Sequence, residues 1–195
     1  MADKDRLELT KQQLEAYLGR KLESSGKLNE ILDILSRFNY LPQLTTTDPL
    51  YGATGEYSPV YRQLRLTPSS GQDESTATHE YAHALDALMM FKAQDWNKPR
   101  SQQFLWGLFN SQPTEAQKQF AEAYQKLQPS TTKLPNKPDS KEYRGSNSEM
   151  RAWGVSEQVK KGINPAAQHI DPTMASEFDV LVDLFRRTGL EPTLK

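Results

Sequence analysis

His79-Glu80-Tyr81-Ala82-His83 lies inside residues 73–94, a run with neither proline nor glycine. Such a run reads as one long helix, and Leu85, Leu88 and Met89 continue an apolar stripe beyond Tyr81 that gives the helix a core face. On a helix, positions four apart sit one turn apart on the same face, so His79 and His83 can aim both imidazoles at one point. Glu80 is rotated from His79 by about 100°, which sets its carboxylate beside that point rather than on it. Two fixed nitrogen donors and an adjacent carboxylate are what a hydrolytic zinc site needs, the nitrogens as ligands and the carboxylate as base toward a zinc-bound water. The plain alternative is a helix whose histidines are solvated or satisfied in the core.

Composition narrows the chemistry. The chain has 195 residues, enough for one domain with a proper core, and 36% hydrophobic against 25% charged residues is the balance of a polar globular protein. Lysine and arginine are spread along a chain of net charge -1, without the basic block that nucleic-acid binding uses. There is no cysteine, so a metal would be held by His, Asp or Glu. No apolar run approaches the length of a membrane span, and the charged start MADKDRLELTKQQLE lacks the apolar stretch of a secretory signal. A cytoplasmic location is therefore expected, and a protein packaged into a particle or released by lysis would look the same. The oligomeric state leaves no signal in the sequence.

Outward from the motif, the pattern predicts an α+β fold that is mostly helical. Leu7, Leu14, Leu18 and Leu22 stripe a helix over residues 5–22, broken by Ser24, Ser25 and Gly26. A second helix follows with Ile31, Leu32, Leu35 and Phe38 on one face. Residues 42–55 are turn-rich and read as irregular. Residues 57–67 alternate, with Val60, Leu64 and Leu66 opposite Tyr61, Gln63, Arg65 and Thr67, which reads as a half-buried strand. Arg62 is its misfit, and Pro59 near its start suits an edge position. Beyond the motif helix come a short apolar helix at 104–109, a helix opened by Pro113 and running to Leu127, and an exposed loop at 128–148. A helix over 149–161, capped by Asn147 or Ser148, and a last helix over 172–187, striped by Phe178, Leu181, Val182 and Phe185, complete the chain. The expected division is an N-terminal helical segment, 1–41, packed on or extending a catalytic domain, 42–195.

Catalytic zinc takes three protein ligands and keeps one position for water. An H-x-x-G-x-x-H continuation is excluded, because residues 84–90 hold neither the glycine nor the histidine. Three candidates remain. Glu149 opens a helix in Ser148-Glu149-Met150-Arg151-Ala152-Trp153, where it could cross onto the first helix as a ligand or serve as an ordinary first-turn acid. His169, in the loop 164–171, could be a ligand, a donor to a developing oxyanion, or a loop histidine. Asp86, three residues after His83, is better placed to orient an imidazole than to bind the metal.

The string His79-Glu80-Tyr81-Ala82-His83-Ala84-Leu85-Asp86 resembles the motif helix of gluzincin peptidases, especially the branch containing the catalytic domain of anthrax lethal factor. Residues Tyr143-Arg144-Gly145-Ser146-Asn147-Ser148-Glu149-Met150-Arg151-Ala152 resemble the element that carries that branch's third ligand. The similarity covers residues 55–161 and stops short of the N-terminal helices. It implies a zincin-like fold whose small sheet has an edge strand just before the active-site helix. It also implies zinc held by His79, His83 and Glu149, Glu80 as general base and Tyr143 as donor to the oxyanion. Similar domains occur in proteins of bacteriophages and other mobile elements. The function implied is metalloendopeptidase activity on a peptide or protein, laid along the strand by backbone pairing with Tyr61, Gln63 and Arg65 close by. A catalytically idle zincin-like module, such as a component of a phage particle, is the competing reading. A cell-wall amide would share the site and need a different groove.

Overall fold

The computed structural model describes residues 3–46, 54–68, 74–97, 113–127, 152, 155 and 172–188. Over these the protein is α+β and mostly helical. The elements are α1 (Asp3–Leu18), α2 (Lys27–Arg37), β1 (Gln43–Thr45), β2 (Gly55–Ser58), β3 (Gln63–Leu66), α3 (Glu74–Trp96), α4 (Glu115–Leu127) and α5 (Pro172–Arg186). No described helix is long and apolar enough to cross a membrane. The expected short helix at 104–109 and loop at 128–148 lie outside the described residues. Of the helix expected at 149–161, Ala152 and Val155 are described; both are helical and buried.

Helix ends follow local chemistry. α1 stops at Leu18, short of the expected Leu22, because Gly19 takes a left-handed φ of 69°. Leu22 still packs against the core from outside the helix. α2 ends in a Schellman arrangement: the Tyr40 N–H donates to Leu35 O (2.9 Å), the Asn39 N–H donates to Ser36 O (3.0 Å), and Asn39 takes φ 50° where glycine is usual. α4 opens with a reciprocal cap rather than at Pro113. The Gln117 N–H donates to Thr114 Oγ1 (3.2 Å), and the Thr114 N–H donates to Gln117 Oε1 (2.9 Å).

The sheet departs most from expectation. Residues 57–67 are two strands and a turn, because Arg62 adopts φ 48° and reverses the chain. Its guanidinium settles 4.6 Å from the centroid of the Tyr40 ring. Val60 and Tyr61 fall in this turn, 82% and 75% exposed. The strand that immediately precedes the motif helix in sequence is thus β3, and it is not an edge: the order is β1-β3-β2, with β1 parallel and β2 antiparallel to β3. β1 lies in the stretch expected to be irregular, where Leu44 is the one buried position in three residues.

α3 is the hub. It packs against α2, α4, β2 and β3, and residues from nearly all its faces are buried. α2 contributes Leu28, Ile31, Leu32 and Leu35 to the same core, while Leu14, Tyr17 and Leu18 of α1 join it from outside. The N-terminal helices are therefore built into the domain that carries the motif. α5 closes the far side through Phe185, whose ring stacks on Phe38 (4.4 Å between centroids) and meets Phe120 (5.0 Å) and Trp96 (6.1 Å). Around this joint, Lys27 pairs with Asp179 (2.6 Å) and Arg186 with Glu30 (2.7 Å), tying α2 to α5.

Phe185→Ala is expected to lower unfolding free energy by about 3–5 kcal/mol, because one large fully buried ring joins three others. Thr114→Ala is expected to cost about 1 kcal/mol, a fall of roughly 2–4 °C in Tm for a chain of this size, by undoing the cap. Urea and thermal melts of the two variants check both values.

Candidate metal centre

The motif helix forms for the reasons its sequence suggests. Glu74 supplies first-turn negative charge and pairs with Arg20, and the Thr78 hydroxyl donates back to Glu74 O (2.8 Å). Five of its polar residues, Ser75, Thr78, His79, Glu80 and Asp86, are nonetheless buried, His79 and Glu80 being only 8% exposed. Charged and polar groups persist in such surroundings when they are paired or hold a ligand, since burial otherwise costs several kcal/mol.

The two imidazoles converge. His79 Nε2 and His83 Nε2 stand 3.2 Å apart, with ring planes at 82°. Facing nitrogens at that distance are bridged by one proton or by one cation. Two nitrogens each about 2.05 Å from a tetrahedral zinc ion stand about 3.3 Å apart, so the pair has the spacing of two ligands on one metal. Nitrogen donors without thiolate, on a chain lacking cysteine, suit zinc. Among the described residues no third histidine or carboxylate completes a cluster with them. Glu149, Tyr143 and His169 lie outside the described residues, although Ala152, three positions after Glu149, is held in the core.

Glu80 turns toward the sheet. Its side chain lies against the backbone of Gly55, the first residue of β2: a Cβ built there would stand 2.8 Å from Glu80 Cγ and 3.2 Å from Oε1. The base candidate is thus pressed between helix and strand, one residue along from His79. No pattern in the sequence reveals this contact. Its one trace is the isolated glycine opening a strand, which often marks a close backbone approach.

β2 also supplies the edge that the sequence sought in residues 57–67. The Thr67 N–H donates to Thr54 O (3.1 Å), so the alternation of an antiparallel ladder makes Glu56–Arg65 and Ser58–Gln63 the bonded pairs. The N–H and C=O groups of Gly55 and Tyr57 then point away from β3. Among the described residues no strand pairs with that side. Gln63 and Arg65, by contrast, sit on a strand flanked on both sides, and Tyr61 is in the turn, so none of the three can accept an added strand.

Asp86 is placed on the α4 side of α3. The Tyr124 hydroxyl donates to its Oδ1 (3.2 Å) and lies 3.4 Å from its backbone carbonyl oxygen. This bond ties the motif helix to α4 one turn beyond His83. Two tyrosines nearby are held as neutral phenols. Burial pushes the Tyr81 hydroxyl above its usual range, and burial reinforced by Tyr40 does the same to Tyr57.

The chain was compared with models of protein families, with curated proteins and with solved structures, and none of them matches it.

Proposed function

We propose that this protein is a zinc-dependent peptidase of the gluzincin kind with a zincin-like fold. His79, His83 and Glu149 hold the metal, and Glu80 is the general base. The observation that carries the reading is the 3.2 Å approach of the two Nε2 atoms on one face of a buried helix. A carboxylate pinned one residue along from the first histidine adds to it.

When bound, zinc would supply a Lewis acid and would lower the pKa of a coordinated water to about 7. Glu80 would take the proton from the attacking water as the water oxygen adds to the scissile carbonyl carbon. It then returns the proton to the leaving nitrogen as the C–N bond breaks. Tyr143 donates to the developing oxyanion, a role worth about 2.7–4 kcal/mol, with His169 the second candidate. An extended peptide lies along the outer side of β2, where Gly55 and Tyr57 offer backbone donors and acceptors two residues apart. Because Gly55 also touches Glu80, a peptide bonded there passes directly beside the base.

The purified protein is expected to carry one zinc per chain. Glu80→Gln should keep that zinc and the wild-type Tm while lowering hydrolysis of a denatured protein substrate by at least about 100-fold. Retained turnover would remove Glu80 from the role of base. Glu149→Ala should lose stoichiometric zinc by metal analysis. Its Tm should also stop rising when zinc is added, whereas the wild type gains about 2.7 kcal/mol at a hundredfold excess over Kd. Zinc that survives the substitution means another residue is the third ligand.

A further inference from the structure

We propose that Gly55 is a positioning residue for Glu80: strand and helix cross so closely that only a residue without a side chain leaves the carboxylate where it stands. The proposal rests on the reading of Glu80 as general base, and gives that base a support from outside its own helix.

The geometry is one-sided. A Cβ at Gly55 would stand 2.8 Å from Glu80 Cγ, closer than real Cβ atoms come to a neighbour, and 3.2 Å from both Glu80 Oε1 and Thr76 Cγ2. Something must move. The strand is poorly placed to yield, because β2 is registered to β3 over four residue pairs and Thr67 bonds back to Thr54 just before Gly55. Two residues on and on the same face, Tyr57 packs half-buried against the core. The α3 backbone is held by α2, α4 and the sheet. Glu80 is left to give way by rotating about its side-chain bonds. In a helix the +60° χ1 well clashes with the preceding turn, so two wells remain and a Cβ at position 55 obstructs the one in use. Gly55 therefore selects the rotamer of the base, while its own N–H and C=O remain directed to the outer edge. Strand pairing of a substrate and placement of the base meet at this one residue.

The test is a double-substitution cycle on the full chain, melted without zinc and assayed with it. Gly55→Ala should lower Tm by roughly 5 °C in the wild-type background and by no more than about 1 °C in the Glu80→Ala background, because the clash goes with the Glu80 side chain. With zinc bound at wild-type stoichiometry, Gly55→Ala should reduce kcat by roughly 100-fold and leave KM within about twofold, as expected for a displaced base. If Gly55→Ala alone yields no folded protein, recovery of folded protein by adding Glu80→Ala reports the same coupling. An equal Tm loss in both backgrounds overturns the proposal, as does a loss relieved by Thr76→Ser instead. A melted-out variant whose folded fraction turns over at the wild-type kcat overturns it as well. If the wild type loaded with zinc hydrolyses nothing, the peptidase reading fails on its own, and the zinc-free melts still decide whether Gly55 sets the position of Glu80.

Discussion

Enclosure of α3 is the constraint on which the other features hang. A helix touched by α2, by α4 and by two strands has little surface left for solvent, yet its sequence places Thr78, His79, Glu80 and Asp86 in the middle of that contact zone. A stability-driven sequence would fill such positions with leucine or alanine, since replacing buried charged groups with apolar ones is often neutral or stabilising. Here each of these four groups has a directed neighbour: Thr78 donates to Glu74 O, His79 faces His83, Glu80 faces Gly55 and Asp86 faces Tyr124. The polar residues are therefore held in set orientations by three different elements.

This arrangement explains why the N-terminal helices cannot be treated as an accessory. α2 packs on α3 and buries five leucine and isoleucine side chains in the shared core, and Lys27 and Glu30 reach from it to α5. Removing 1–41 would uncover the part of α3 that α2 covers and leave the motif helix held by α4 and the sheet alone. α2 packs directly on the hub, and α1 packs on α2.

The motif helix could be read from the sequence because its signals are local: a histidine pair at helical spacing and no breaker across more than twenty positions. α2 and α5 followed from their apolar stripes, which the core confirms at Ile31, Leu35, Phe178 and Phe185. The hairpin was obscured by coincidence. Its turn keeps the period-two pattern through Val60 and Tyr61, so alternation continues on both sides of the reversal and breaks only at Arg62. Arg62, the residue that spoiled the pattern, was the true signal, since it takes the left-handed conformation that turns the chain. β1 was hidden because a three-residue strand with one buried side chain has no period to detect. Gly55 could be found only in three dimensions, because its role depends on how close the strand crosses the helix.

The shape of the sheet edge then bears on how such a site would work. An exposed edge is a hazard for self-association, which short strands and nearby proline limit. β2 is four residues long and stops just before Pro59, so it presents just two residues, Gly55 and Tyr57, with bonding groups directed outward. Glu56 and Ser58 spend theirs on β3. An edge this short can register an extended chain but holds it by few backbone bonds. Affinity and choice of sequence must therefore come from side-chain contacts beyond the strand. On the proposed reading, the site is a fixed floor of two imidazoles and a pinned carboxylate beside a short strand edge. Rigidity resides in the first and selectivity in what surrounds the second.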